Sequence, residues 1–181
     1  DALSEDFVIF GDGILVKYAG SSPQVTVPDG VKQITDAFGD RIVTDIILSD
    51  SVERIGDCAF ADCKSLESIT FGSSVVSIGD LAFAENMHLT RVTLSSNLTE
   101  ISENAFDTCY NLVEVVNLSD LSFTPGENPF LYAKRIYTDV AQSSCIALDG
   151  QGFLFYEDGS ERILLGYKGV AAEITLPSVA E

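Results

Sequence analysis

Basic residues are scarce: 10 Lys and Arg stand against 28 Asp and Glu, for a formal net charge of −18. Such a surface repels nucleic acid and anionic lipid, whose binding rests on basic side chains. The acidic residues are scattered rather than run together, so no acidic tail is indicated. Histidine occurs once, at His88. A lone His cannot complete a Cys/His zinc set, and a nucleophile–His–acid triad has only this residue to draw on. The four cysteines, Cys58, Cys63, Cys109 and Cys145, include no C-x-x-C pair. No apolar run approaches the roughly 18 residues of a membrane span, so membrane insertion is not expected. Gly11-Asp12-Gly13 lacks the spacing of a phosphate-binding loop. Residues 1–6 are polar and acidic rather than a leader peptide, and because the sequence does not open on Met this says nothing of what precedes them.

What is present is a beat. Hydrophobic residues make up 46% of the 181, enough for a core. The stretch Val52, Ile55, Gly56, Ala59, Phe60, Cys63, Leu66, Ile69, Phe71 recurs 23 residues on as Val75, Ile78, Gly79, Ala82, Phe83, Leu89, Val92, Leu94. It returns after another 23 as Leu98, Ile101, Ala105, Phe106, Cys109, Leu112, Val115. A fixed period in this range marks a solenoid, in which one coil cannot bury its apolar face alone. Around Ile69 the pattern alternates, Ile69 and Phe71 inward and Ser68 and Thr70 outward, which reads as a half-buried strand. The spacing Val52, Ile55, Ala59, Phe60 reads as a short strand and tight turn on the opposite side, with Gly56 and Gly79 where the chain bends. The gaps leave no room for long helices.

The chain opens on a hairpin, Phe7–Phe10 and Ile14–Tyr18 around Asp12-Gly13, followed by a third strand at Val25–Val27. A first coil, two residues shorter than the next two, starts at Val31 with Ile34, Ala37, Phe38, Val43, Ile46 and Leu48. The pattern frays at Val115–Leu118, where Asn117 takes an inward slot and a bulge is expected. Leu121, Phe123, Pro129-Phe130 and Ile136-Tyr137 form one more, degraded coil. A second repeat then shows itself. Ile163-Leu164-Leu165, Tyr167, Gly169, Ile174, Leu176 and Pro177 copy Ile14-Leu15-Val16, Tyr18, Gly20, Val25, Val27 and Pro28 at a constant offset of 149. The expected division is an N-terminal β-hairpin cap over 1–30, coils over 31–140, and a C-terminal hairpin with the start of a further repeat block over 141–181. The chain is accordingly expected to be one module of a longer protein.

The string Ile55-Gly56-Asp57-Cys58-Ala59-Phe60-Ala61-Asp62-Cys63-Lys64-Ser65-Leu66-Glu67-Ser68-Ile69-Thr70-Phe71 resembles the BspA-like (treponemal-type) class of bacterial leucine-rich repeats, over about Val31 to Tyr137. The fold expected is a β-rich solenoid of short parallel strands flanked by antiparallel hairpins, with little α-helix. The resemblance implies a right-handed coil with a parallel sheet on its concave face. It also implies a secreted or cell-surface protein of a host-associated bacterium, with adhesion or protein binding as its role, and it brings no catalytic residues.

Three function classes follow. The first is a non-enzymatic extracellular binding or adhesion module for a host or bacterial surface protein or a glycan. The second is a structural spacer. The third, a hydrolase, has little to stand on, because His88 shares a polar loop column with Ser65 and Asn111. Cys63 and Cys109 share one repeat position two coils apart, about 10 Å at sheet spacing and beyond the ~7 Å reach of a disulfide, so they read as small core fillers. A bond between Cys58 and Cys63 would close a short loop and stays open. Asp57, Asp62, Asp80 and Glu85 lie near coil corners where a structural calcium could sit, without a D-x-D-x-D-G loop. No cofactor is expected. The candidate binding surface is the exposed face of the repeated strand: Asp45, Ile47, Ser68, Thr70, Arg91, Thr93, Glu114 and Val116. Binding lost on Arg91→Glu would mark it. Lys64, Met87 and Tyr110 form a second possible contact row.

Overall fold

Alternating β-branched residues give each coil two short strands rather than one long one. The computed structural model describes residues 5–39, 41–142, 144–159 and 161–170. The chain divides into two units, residues 1–143 and 144–181, each described by itself.

The first unit opens on an antiparallel hairpin, β1 (Phe7–Phe10) and β2 (Ile14–Tyr18), with Phe7 opposite Tyr18. Thereafter each coil adds one strand to each of two stacks. One stack takes β4 (Gln33–Ile34), β6 (Arg54–Ile55), β8 (Ser77–Ile78) and β10 (Glu100–Ile101), running parallel from β2 in the order β1-β2-β4-β6-β8-β10. The other takes β3 (Gln24–Thr26), β5 (Asp45–Ile47), β7 (Ser68–Thr70), β9 (Arg91–Leu94), β11 (Glu114–Asn117) and β12 (Arg135–Tyr137), parallel throughout. Among the described residues there is no helix.

The core lies between the two stacks. Ile34, Ile55 and Ile78 line it from one side and Val25, Ile46, Ile69, Val92 and Val115 from the other, all buried. Between them runs an aromatic ladder. Ring centroids of Phe38, Phe60, Phe83 and Phe106 follow one another at 5.0, 5.1 and 4.8 Å, close to the ~4.8 Å spacing of neighbouring strands. Tyr18 heads it, 5.4 Å from Phe38, so the hairpin supplies the first rung. Phe130 closes it, 5.2 Å from Phe106. The small Ala37, Ala59, Ala82 and Ala105 beside the rings are buried as well.

Two expectations are corrected. Gly56 and Gly79 do not make the bend. A Cβ at Gly56 would lie 2.9 Å from the Ile34 carbonyl oxygen, and one at Gly79 would lie 2.7 Å from the Asp57 nitrogen. Glycine is required there so that one coil can approach the next. The sharp bends fall on side-chain-bearing residues with left-handed backbones, Cys58 and Leu81 (φ 54 and 52) and Asp62, Glu85 and Thr108 (φ 55, 62 and 54). Nor is there a bulge at Val115–Leu118. β11 pairs with β9 in unbroken register, Asn117 opposite Leu94. Asn117 tolerates the inward slot because its amide donates to the Leu121 carbonyl at 2.6 Å and its Oδ1 accepts from Ser119.

The second unit carries β13 (Ile146–Leu148), β14 (Phe153–Glu157) and β15 (Arg162–Tyr167) in one antiparallel sheet. The β14–β15 hairpin repeats the β1–β2 one. Phe153 faces Tyr167 as Phe7 faces Tyr18, with rings 5.0 and 5.1 Å apart, and each register slips after the second residue. In both, the tyrosine lies over the glycine two residues on, so that a Cβ at Gly20 or Gly169 would strike the ring. The matching residues Ile174, Leu176 and Pro177–Val179 lie outside the described residues.

Candidate functional site

The outer face of the β5-β7-β9-β11 stack is built by the residues between the inward ones. Ile47, Ser68 and Thr70 are exposed, and Asp45, Arg91 and Thr93 are half-buried. Ser68 donates to the Asp45 carboxylate in the preceding coil at 2.6 Å. Glu114 and Val116, expected on the same exposed face, are both buried. The cause is the next coil, which is short: Arg135 pairs with Glu114 and Tyr137 with Val116. The Tyr137 hydroxyl lies 3.0 Å from Glu114 Oε1, and Arg91 closes the other side with an ion pair of 3.0 Å to Oε2. The Arg91 guanidinium also stands 5.4 Å over the Tyr137 ring. The C-terminal end of this face is thus a buried polar knot, which the 23-residue beat does not foretell because the last coil is two residues shorter. Arg91→Glu would set a second carboxylate against a buried one and probe folding rather than binding. Ile47 and Thr70 are the clean probes of the face.

Of the acidic corners, Asp57 and Asp80 accept hydrogen bonds from the next coil, as does Asp50. Asp57 accepts the Asp80 amide at 2.8 Å, Asp50 accepts the Ser73 amide and hydroxyl, and Asp80 accepts Ser102 and Asn104. Among the described residues no group of three potential ligands is poised for a metal ion. The Ser73 amide and then its hydroxyl hold the Asp50 carboxyl below the usual carboxylate range, and Ser102 followed by Asn104 does so for Asp80. Their folded pKa values are lowered, so their contribution is complete above the unfolded value of about 3.9 and drains away as pH falls through the folded value. Melting temperature measured against pH is expected to fall below about pH 4, and to fall less steeply in Asp80→Asn.

A nucleophile is not assembled. All four cysteines are free thiols, Cys58 and Cys63 included. Burial pushes the Cys63 and Cys109 thiols up to about 12, leaving them protonated at neutral pH. They are more than fillers. Cys63 Sγ donates to the Phe38 carbonyl (3.7 Å), Asn86 Nδ2 to that of Phe60 (2.9 Å) and Cys109 Sγ to that of Phe83 (2.9 Å). One column in three successive coils therefore ties each ladder residue's carbonyl to the next coil. His88 is exposed.

The second row follows the coil corner. In three coils the same backbone turn recurs, with the Lys64, Met87 and Tyr110 amides donating to the carbonyls two residues earlier at 2.8, 3.1 and 3.0 Å. Met87 and Tyr110 are exposed, and in the last coil Tyr132 meets Tyr110 edge-on at 4.9 Å. Tyr132 was not evident from the 23-residue beat because the last coil is short.

Comparison with known proteins agrees with this geometry. The family model described as BspA type leucine rich repeat region matches residues 32–153 in six copies. Comparison with curated proteins gives no match. Among solved structures, the chain is similar to the leucine-rich repeat protein TpLRR of T. pallidum, at 26% identity and TM-score 0.50 over 64% of this chain and 71% of that one. It is also similar to the pneumococcal vaccine antigen PcpA, at 23% identity and TM-score 0.58 over 61% of this chain. The match spans 29% of the PcpA chain. With its stacked strands, aromatic ladder and six repeat copies covering well over half of its length, the protein belongs to the BspA-type leucine-rich repeat family.

Proposed function

We propose that the chain is a non-enzymatic binding module of a bacterial surface protein, acting outside the cell on a protein or glycan of a host or bacterial surface. The observation that carries this reading is the outer strand face. Ile47, Ser68 and Thr70 stand in register on parallel strands, and Ile47, an apolar residue, is half exposed (50%). A rigid ladder of this kind holds contact groups at fixed separations without ordering cost on binding. No nucleophile, base and acid converge anywhere on it among the described residues, and its carboxylates Asp45 and Glu114 serve bonds between coils, with Ser68 and with Arg91 and Tyr137.

Purified protein, immobilised and tested on a glycan array and against epithelial surface proteins, is expected to show saturable binding. Ile47→Glu should weaken it about tenfold or more, and Ile47→Val should not, because burying a charge in an interface is far costlier than losing one methylene. No binding at all assigns the coils to spacing, and binding that ignores Ile47→Glu removes the strand face as its site.

A further inference from the structure

The corner row has a chemistry of its own. Arg41, Lys64, Met87 and Tyr110 succeed one another at 23-residue steps, so one edge of the unit changes from cationic to aromatic as the coils advance. At the aromatic end Tyr110 is 53% exposed, Met87 38% and Leu131 48%. The Tyr110 and Tyr132 rings cross at 71°, an edge-on arrangement in which one ring's π face is not covered by the other. Glu85 precedes Met87 by two residues and Asp107 precedes Tyr110 by three, and the Glu85 amide donates to the Asp107 carbonyl at 3.0 Å, so the two acids stack one coil apart beside the rings. Partial desolvation, then the neighbouring Tyr110 and Asp107, push the Tyr132 phenol above its ordinary range, so it stays a neutral ring at neutral pH. Of the ammonium groups in the neighbouring coils, Lys64 pairs with Asp62 at 3.3 Å, and Lys134 follows Tyr132 by two residues.

We propose that Met87, Tyr110 and Tyr132, with Glu85 and Asp107 beside them, dock a lysine- or arginine-bearing segment of a protein partner. Two phenol rings offer negative π faces to a cation, and the flanking carboxylates offer its counter-charge. Met87 supplies an adaptable apolar contact for the aliphatic stem. Charge complementarity selects the occupant: the chain carries −18 overall, and the row's own cations, Arg41 and Lys64, sit at the opposite end. That polarity orients the segment, with its basic residues over the tyrosines. The proposal rests on the protein-binding reading above, while placing the contact on the corner rather than on the strand face.

The test uses a fluorescein-labelled peptide of alternating Arg and Gly, its Glu–Gly counterpart and a neutral oligosaccharide, read by anisotropy at about 0.15 M salt. The Arg peptide alone is expected to bind. Tyr110→Ala with Tyr132→Ala should raise its Kd about tenfold, and the Phe replacements should leave it within about twofold, because the π face and not the hydroxyl makes the contact. Glu53→Gln with Glu100→Gln, which removes two exposed charges on the other stack, should also leave it within about twofold at this salt. Circular dichroism confirms that each variant is folded. Equal affinity in the double Ala variant would show that only the bulk field of an acidic chain attracts the peptide, and would overturn the proposal. So would oligosaccharide binding that depends on the same rings. Surface binding that depends on Ile47 while the peptide is ignored would sink this assignment and leave the proposed function standing.

Discussion

Phe83→Ala is expected to lower stability by about 4 kcal/mol, the middle of the range for truncating a buried aromatic residue. Phe83 is fully buried, its ring lies between those of Phe60 and Phe106 at 5.1 and 4.8 Å, and Phe71 touches it from the side at 5.7 Å. Truncation empties the middle of the ladder, among the rings of Phe60, Phe71 and Phe106. The position matters as much as the area. A stacked array is held by contacts between nearest coils, so the loss falls on the coupling between the coils before Phe83 and those after it, alongside the strand ladders that also join them. Urea unfolding followed by far-UV circular dichroism should show a lowered midpoint and a broadened or split transition. Phe83→Leu, which keeps most of the volume, should cost less than about 1.5 kcal/mol. Tyr110→Ala, at the surface, should cost about 0.5 kcal/mol or less. A loss for Phe83→Ala no larger than for Tyr110→Ala would mean that the rings do not act as one ladder.

Much of this fold was legible because the same physical requirement recurs. A side chain that must sit above its counterpart in the previous coil repeats with the length of the coil, so Ile34, Ile55 and Ile78 and the Phe residues announce their burial by their spacing. Tyr18 escaped because it belongs to the hairpin and enters the ladder from outside the beat. The left-handed corners escaped for a different reason. Glycine usually marks positive φ, but here Leu81, Glu85 and Thr108 accept it, held by the hydrogen bonds of the stacked turns. Glycine was instead used where two coils touch, as at Gly79, which spacing alone does not distinguish from a bend.

The candidate face was legible in part. Alternation tells which residues point away from the core, and Ile47, Ser68 and Thr70 are where it placed them. Pointing away from the core is not the same as meeting solvent. The last coil arrives after a shorter interval than its predecessors, and Tyr137 comes to lie against the outer side of β11. Only the register of that irregular coil, which no repeat dictates, decides whether Glu114 is a contact residue or a buried one.

That buried carboxylate leads to the second large effect. Arg91→Met is expected to destabilise the protein by about 3 kcal/mol at neutral pH, because it removes the guanidinium that faces Glu114 at 3.0 Å while the carboxylate remains wholly buried. The value is placed at the low end for buried pairs because the Arg91 side chain keeps 27% of its exposure, and because the Tyr137 hydroxyl still meets Oε1. The cost belongs to the stranded charge and not to the pair as such. Replacing all three members with apolar residues of similar volume, Arg91→Met, Glu114→Leu and Tyr137→Phe, should therefore recover most of the loss, since an ion pair exchanged for packed hydrophobic groups is often neutral or better. Chemical denaturation of the single and triple variants reads this directly, and the non-additivity between them measures the coupling. A single Arg91→Met variant as stable as the parent would show that Glu114 does not depend on Arg91. A triple variant less stable than Arg91→Met alone would show that the knot contributes more through its hydrogen bonds than it costs in desolvation.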